Sequence, residues 1–318
     1  MKAHALWDCS TEVPKRNEVE RRNGAKAEVR KARPEAQRRG TPKNLKSKLA
    51  RSMVYISASI TIFLLAFMLL YILIKGIPHL SPSLFSLTYT SENCSVIPAL
   101  VNTFLMTLIA LLIACPLGIG SAVYLVEYAR RGNKFVKLVR LTTETLTGIP
   151  SIIFGLFGML LFVGTFRWGY SLLAGSCTVA IMILPTIMRT TEEALLAVPD
   201  FYREGSFGLG AGKLRTVFKI VLPSAVPGIL SGVILASGRV VGETAALIYT
   251  AGTVAQIPSS VFASGRTLAV HMYVLSSEGL HTNQAFATAL VLLAAVVGIN
   301  SLAGFVAKKI GNKDFKNV

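Results

Sequence analysis

From residue 53 onward the chain alternates long apolar runs with short polar connections. Six runs, at approximately 53–74, 98–125, 141–166, 170–188, 224–250 and 284–307, each reach the roughly 20 residues that a helix needs to cross a bilayer. Inside lipid each backbone N–H and C=O has to pair within its own segment, so helix is the default for all six. The pattern predicts an all-α polytopic membrane protein with six transmembrane helices. Pro116 predicts a kink in the second run, and Pro185 interrupts the fourth near its end. Gly148-Ile149-Pro150-Ser151 breaks the third near its start, either as a simple kink or as a broken helix lining a pathway.

The connection 191–223 differs from the others. It carries Glu192, Glu193, Asp200, Arg203, Glu204, Lys213, Arg215 and Lys219, so it cannot stay in lipid. Yet Phe201, Phe207, Leu209, Leu214, Val217, Phe218 and Val221 are interleaved with those charges. Leu214, Val217, Phe218 and Val221 follow the i, i+3, i+4, i+7 spacing of an amphipathic helix. Glycines at 208, 210 and 212 permit a sharp break before it, and Pro223 opens the next crossing, where its missing N–H costs little. Such a stretch is either an interfacial helix on the membrane surface or a compact knob of two short helices that seats in a partner's groove.

Composition narrows the class. Hydrophobic residues make up 52% of the 318, and charged residues only 15%, against about 25% in an average soluble domain. A net charge of +17 raises the question of nucleic acid, and its distribution answers it. Residues 1–51 hold 15 Lys and Arg against six Asp and Glu, and the remaining excess lies in the short connections. The first 51 residues have little apolar surface to bury and read as a basic, largely disordered tail with no signal-peptide core. Lys and Arg recur in the tail, in 126–140, in 191–223 and after residue 307, whereas 76–97, 167–169 and 251–283 hold only Arg167 and Arg266. By the positive-inside rule both termini and the 191–223 loop are expected in the cytoplasm.

The fifth apolar run carries two charges. Arg239 lies near the middle of the fifth, at a cost of about 2.5–3.5 kcal/mol on insertion scales, and Glu243 follows one helical turn later. They form either a buried ion pair fixing helix register or an anion site in which Arg239 presents its donor fork and Glu243 tunes it. Arg189 ends the fourth run, where positive-inside placement explains it, or where it adds a second charge to a pathway. The small residues Gly228, Gly232, Gly238 and Gly242, with Gly155 and Gly158, are expected to let helices approach closely. His79, His271 and His281 lie in the basic-poor connections without a second ligand at metal spacing, and are expected at a surface or interface. There is no GxxxxGK[ST] phosphate loop, no catalytic carboxylate pair and no nucleophile triad, so the chain is expected to be a non-catalytic subunit.

The connection's skeleton is Glu204-Gly205-Ser206, three residues, Gly210, nine residues, Ile220, one residue, Leu222-Pro223. It resembles the EAA loop of bacterial ABC-importer permeases, with Gly205-Ser206 in place of Ala-Ala. Across about residues 52–310 the chain is similar to the PstA-type permease subunits of phosphate importers. That likeness rests on Thr147–Gly158 (TGIPSIIFGLFG), Leu184–Ala194 (LPTIMRTTEEA), Gly238–Ala245 (GRVVGETA), His271-Met272-Tyr273 and Ala287–Val291. The resemblance implies a permease domain over 52–310, a coupling loop at 191–223 and a short cytoplasmic tail at 311–318. It implies a PstC-like permease partner, two copies of a PstB-like ATPase that bind the ATP and Mg, and a PstS-like phosphate-binding protein outside a bacterial cytoplasmic membrane. No cofactor is expected on this chain itself, and no nucleic acid. The cargo would be inorganic phosphate moved by alternating access, or else phosphonate, sulfate or molybdate. A reading from another class is a membrane-anchored regulatory protein acting through its basic tail, whose charge suits anionic lipid.

Overall fold

The structure is a computed structural model and describes residues 45–130 and 132–314. Most of the 1–51 tail, Arg131 and the last four residues lie outside the described residues. The chain divides into two compact units, one ending at Phe67 and one starting at Met68. What is described of the first is helix: α1 (Leu45–Gly76) begins there and continues into the second unit.

Every regular element among the described residues is helical. Lys48–His79, Ile97–Tyr128, Leu172–Leu196, Lys213–Val241 and Thr282–Leu302 are each long and apolar enough to cross a membrane. A sixth crossing is made only by joining Lys134–Thr147 to Ser151–Thr165, two helices bent by 102°. The second unit therefore runs α2 (Ile97–Val123, with a π-helical turn at Tyr124–Tyr128), α3 (Lys134–Thr147), α4 (Ser151–Gly158, with a π-helical turn at Met159–Thr165) and α5 (Leu172–Leu196). It continues with α6 (Asp200–Gly208), α7 (Lys213–Thr216, with a π-helical turn at Val217–Val221), α8 (Leu222–Val241) and α9 (Ala245–Ile248). It closes with α10 (Leu268–Glu278) and α11 (Thr282–Asp314).

Three boundaries depart from the hydropathy pattern. The third apolar run is not one helix: Gly148 ends α3, Pro150 cannot continue it, and α4 leaves at a steep angle. Residues 141–147 thus belong to an amphipathic helix that buries Val136 and exposes Phe135, Leu138 and Leu141. The fourth run continues through Pro185 to Leu196, because the helix buries that proline and Glu192 on its packed face. The fifth run ends as a helix at Val241, and a turn at 242–244 leads into the single turn of α9.

α5 is the central post, packing against α2, α8, α4 and α3. Met106, Ala110 and Ala114 from α2 meet Val179, Ile183 and Ile187 from α5, with Ala236 and Val240 from α8, in the largest apolar cluster. A second cluster joins Leu125, Val136, Leu195, Val198, Val217 and Val221 at the end of the bundle that carries α6 and α7. The tight approach of α8 to α5 depends on glycine. A Cβ on Gly232 would come within 2.0 Å of Thr190 Oγ1, and one on Gly228 within 2.6 Å of the Ala194 Cβ. Gly155 and Gly158 make the same kind of approach to Ala246 and Thr178. Gly238 and Gly242 do not: the nearest atoms to their missing Cβ lie at 3.6 and 3.7 Å. The four glycines on and just after α8 therefore divide, two for packing and two around the place where the helix ends.

Candidate functional site

The knob is built at the end of α2 and α5. Pro199 precedes α6, whose Asp200 places a carboxylate in the first turn, where the helix dipole favours it. The helix ends in a Schellman motif. Gly210 takes φ +80°, its N–H donates to Phe207 O at 2.9 Å, and Ala211 N–H donates to Ser206 O at 3.1 Å. The glycine of the skeleton is thus the left-handed stop for the helix that carries Glu204. Ser206 is buried, and its hydroxyl meets Thr216 Oγ1 at 2.8 Å, tying α6 to α7. The serine that stands where the resembled loop has alanine is a cross-link within the knob.

The predicted amphipathic stripe divides. Val217 and Val221 are buried, while Leu214 and Phe218 are exposed. Phe201, Phe207 and Leu209 join them on the outside, with Leu209 91% exposed. Glu204 and Gly205 are exposed too, and Gly205 has no atom within 4 Å of a notional Cβ. Ile220, Leu222 and Pro223 lie half-buried in an unbroken helical path from Lys213 to Val241. The second helix of the knob is therefore the first turns of a spanning helix, which the sequence pattern had kept apart. At its root, Arg203 bonds Glu127 of the α2 terminus, a contact 76 residues distant in sequence.

Arg239 and Glu243 do not form an ion pair. Arg239 sits in the last turn of α8 and Glu243 lies beyond that helix, so the one-turn spacing is lost. Glu243 is buried, and its Oε1 accepts from Ala246 N–H at 3.0 Å, capping α9. Arg239 is half-buried at a helix C-terminus, which favours a cation. Among the described residues its guanidinium has no ion pair. The neighbouring turn of α8 approaches Asn300 of α11.

Arg189 is exposed and pairs with Glu193 one turn on, at 3.2 Å. With Arg140, Thr143, Glu144, Met188, Glu192 and Leu196 it lines a cleft of about 270 Å³ between α3 and α5. Arg140 closes on Glu192 at 2.5 Å. The three site charges read from the sequence are thus in different states: one unpaired, one spent as a cap, one in a surface pair.

At the other end of α2 the structure corrects the reading of His271 as a surface or interface residue. It is fully buried on α10, its Nε2 donates to Cys94 O at 3.2 Å, and Tyr89 meets its ring edge-on. Burial, reinforced by the Arg266 charge, lowers its pKa to about 4, so the ring is neutral. Arg266 is itself only 4% exposed and lies over the Tyr89 ring at 4.6 Å. Asn102 donates to the carbonyls of Gln256 and Arg266, and Leu268 N–H donates to Thr103 Oγ1 at 2.8 Å. Polar side chains therefore stitch the 252–267 segment to α2. In sequence only the isolated arginine in a basic-poor connection hinted at this.

A bundle of spanning helices that includes a broken crossing, with a polar-rooted, apolar-tipped knob at one end, defines a membrane permease. Residues 114–312 match the family described as the binding-protein-dependent transport system inner membrane component, and the chain belongs to that family. It is 36% identical over 258 residues to a Bacillus subtilis protein named a probable ABC transporter permease, YqgI, covering 75% of this chain and 86% of that one. It is 36% and 37% identical to the phosphate transport system permeases PstA of Mycobacterium leprae and Haemophilus influenzae, over 64% of this chain and 67% and 73% of theirs. Among solved structures, a bacterial ABC transporter that imports the polysaccharide alginate aligns with a TM-score of 0.61 at 16% identity. That alignment covers 84% of this chain and 99% of the other. The MetNI methionine transporter aligns at 0.53 and 21% identity over 68% and 94%. The resemblance to PstA-type permeases read from the sequence is therefore met by its relatives, and the fold is that of ABC-importer membrane subunits.

Proposed function

We propose that the chain is the PstA-type permease subunit of an importer that moves inorganic phosphate across a bacterial cytoplasmic membrane. Both termini and the knob face the cytoplasm. A second, PstC-like permease completes the pathway, a PstS-like protein delivers phosphate, and two PstB-like ATPases hold the ATP and Mg. The observation that carries the substrate reading is Arg239: a half-buried guanidinium without an ion pair among the described residues, where a spanning helix stops. Its nearest acidic neighbour in sequence is committed to a cap, which leaves the donor fork for a passing oxyanion. Relatives named as phosphate permeases support the same cargo. Phe201, Leu209, Leu214 and Phe218, exposed on the knob, support the seating of that knob in an ATPase groove. Arg189 lines the α3–α5 cleft and serves the same anion on its way out, exchanging Glu193 for it.

Uptake of labelled phosphate by cells expressing the chain with its neighbouring transporter genes tests this reading. At matched membrane levels, Arg239→Gln is expected to lower uptake about 10- to 100-fold, the worth of one charge-assisted contact. Excess sulfate is expected to leave wild-type uptake intact. Uptake blocked by sulfate or molybdate would move the cargo to another oxyanion, and uptake indifferent to the substitution would make Arg239 structural.

A further inference from the structure

One guanidinium gathers the root of the knob. Arg203 Nε and Nη2 donate to Glu127 Oε1 at 3.1 and 2.8 Å. Nη2 also donates to Leu195 O at 2.9 Å, and Nη1 donates to Val198 O at 2.8 Å and Asp200 Oδ1 at 3.1 Å. An arginine has five N–H groups, and here each has an acceptor. The acceptors belong to three elements. Glu127 lies on the π-helical turn that ends α2, Leu195 is in the last turn of α5 with Val198 in the link that follows it, and Asp200 begins α6. The pair is enclosed, with Arg203 15% and Glu127 8% exposed. Screening by solvent is correspondingly weak, so this is unlike the surface pair of Arg189.

The chain on either side of α6 is poorly suited to carry a push. Ala197–Pro199 is a three-residue link, and 209–212 is a turn with two glycines. A displacement of α6 would be absorbed by rotation at these two places unless something rigid bridged them. Ser206 and Thr216 bridge α6 to α7, and so to α8. The Arg203 contacts bridge α6 to α2 and α5.

We infer that Arg203 and Glu127 form a clamp that delivers the movement of the knob to α2 and α5 together, making Arg203 a positioning residue for the coupling of ATP hydrolysis to transport. This rests on the reading of the knob as the seat of an ATPase. Lysine keeps the charge of Arg203 and loses the fork, which is what gathers three elements at one point. Glutamine at position 127 keeps the shape and loses the charge.

The test uses the whole transporter, purified with its ATPase and reconstituted in vesicles, and reads ATP hydrolysed per phosphate imported. Arg203→Lys and Glu127→Gln are expected to raise that ratio by at least about tenfold, within the usual range of coupling between sites. The ATPase should still co-purify in normal amount. A wild-type ratio in both variants would overturn the clamp. So would loss of the ATPase from both complexes, since Arg203 would then be a bolt for folding alone. Wild-type uptake checks the substrate separately: if another oxyanion is the cargo, the same ratio is read with that anion.

Discussion

Gly205 and Ser206 replace two alanines of the resembled loop. The two positions differ. Gly205 is open on its outer side, so Gly205→Ala meets no atom and gains helix propensity, up to about 1 kcal/mol. Ser206→Ala removes the hydroxyl bridge to Thr216 and is expected to cost about 1 kcal/mol. Thermal unfolding of the solubilised protein should place the two variants on opposite sides of the wild type. Composition could not separate them, because one helix face turns Ser206 inward and leaves Gly205 outside. Glu127 carried no local signal at all, since its partner lies 76 residues away. Arg239 and Glu243 were legible as intramembrane charges. That they stand apart was not legible, because hydropathy does not register a helix end inside an apolar run. Gly242 followed by a carboxylate and a threonine was the signal that could have shown it.

At the scale of elements, the apolar runs located the spanning helices, and the caps decided how they begin and end. The glycine spacing of α8 announced close packing without naming the neighbour. Thr190 of α5 is that neighbour at Gly232, its hydroxyl held by Thr186 O at 2.9 Å. Gly232→Ala is therefore expected to destabilise by about 1–3 kcal/mol, the usual cost of overpacking. Adding Thr190→Gly, which clears the space, should recover a large part of the loss relative to Thr190→Gly alone. Double-mutant thermal unfolding checks this, and additive losses would mean that the two helices do not meet there. The same variants bear on movement, since α5 and α8 carry Arg189 and Arg239 and any relative sliding passes through this seam.

Across the whole molecule, the two ends of α2 are built on opposite terms. The knob end is held by ion pairs, whereas the other end places a neutral histidine beside a buried arginine. The folded state holds the His271 pKa near 4, below its ordinary 6.5, so the unfolded chain takes up the proton more readily between those values. Stability from this site is complete above the unfolded value and is lost as pH falls toward the folded one. A loss on the order of 2 kcal/mol is expected between about pH 7.5 and about pH 5. Melting curves of the solubilised chain should show it, and His271→Gln should flatten the dependence.

The break between α3 and α4 has one more consequence, for the lipid around the protein. Ser151–Thr165 is the part of that bent pair that runs apolar, and fifteen residues of helix reach only about 22 Å. The hydrocarbon layer is about 30 Å thick. Ile152, Ile153, Leu156, Phe157 and Leu160 face outward on this short column. The bilayer has to thin beside α4 or be held away from it by another subunit, and each ångström of mismatch carries a modest energetic cost. Membrane thickness, set by acyl chain length, thereby becomes a variable in the working of this permease, acting at a crossing too short to ignore it.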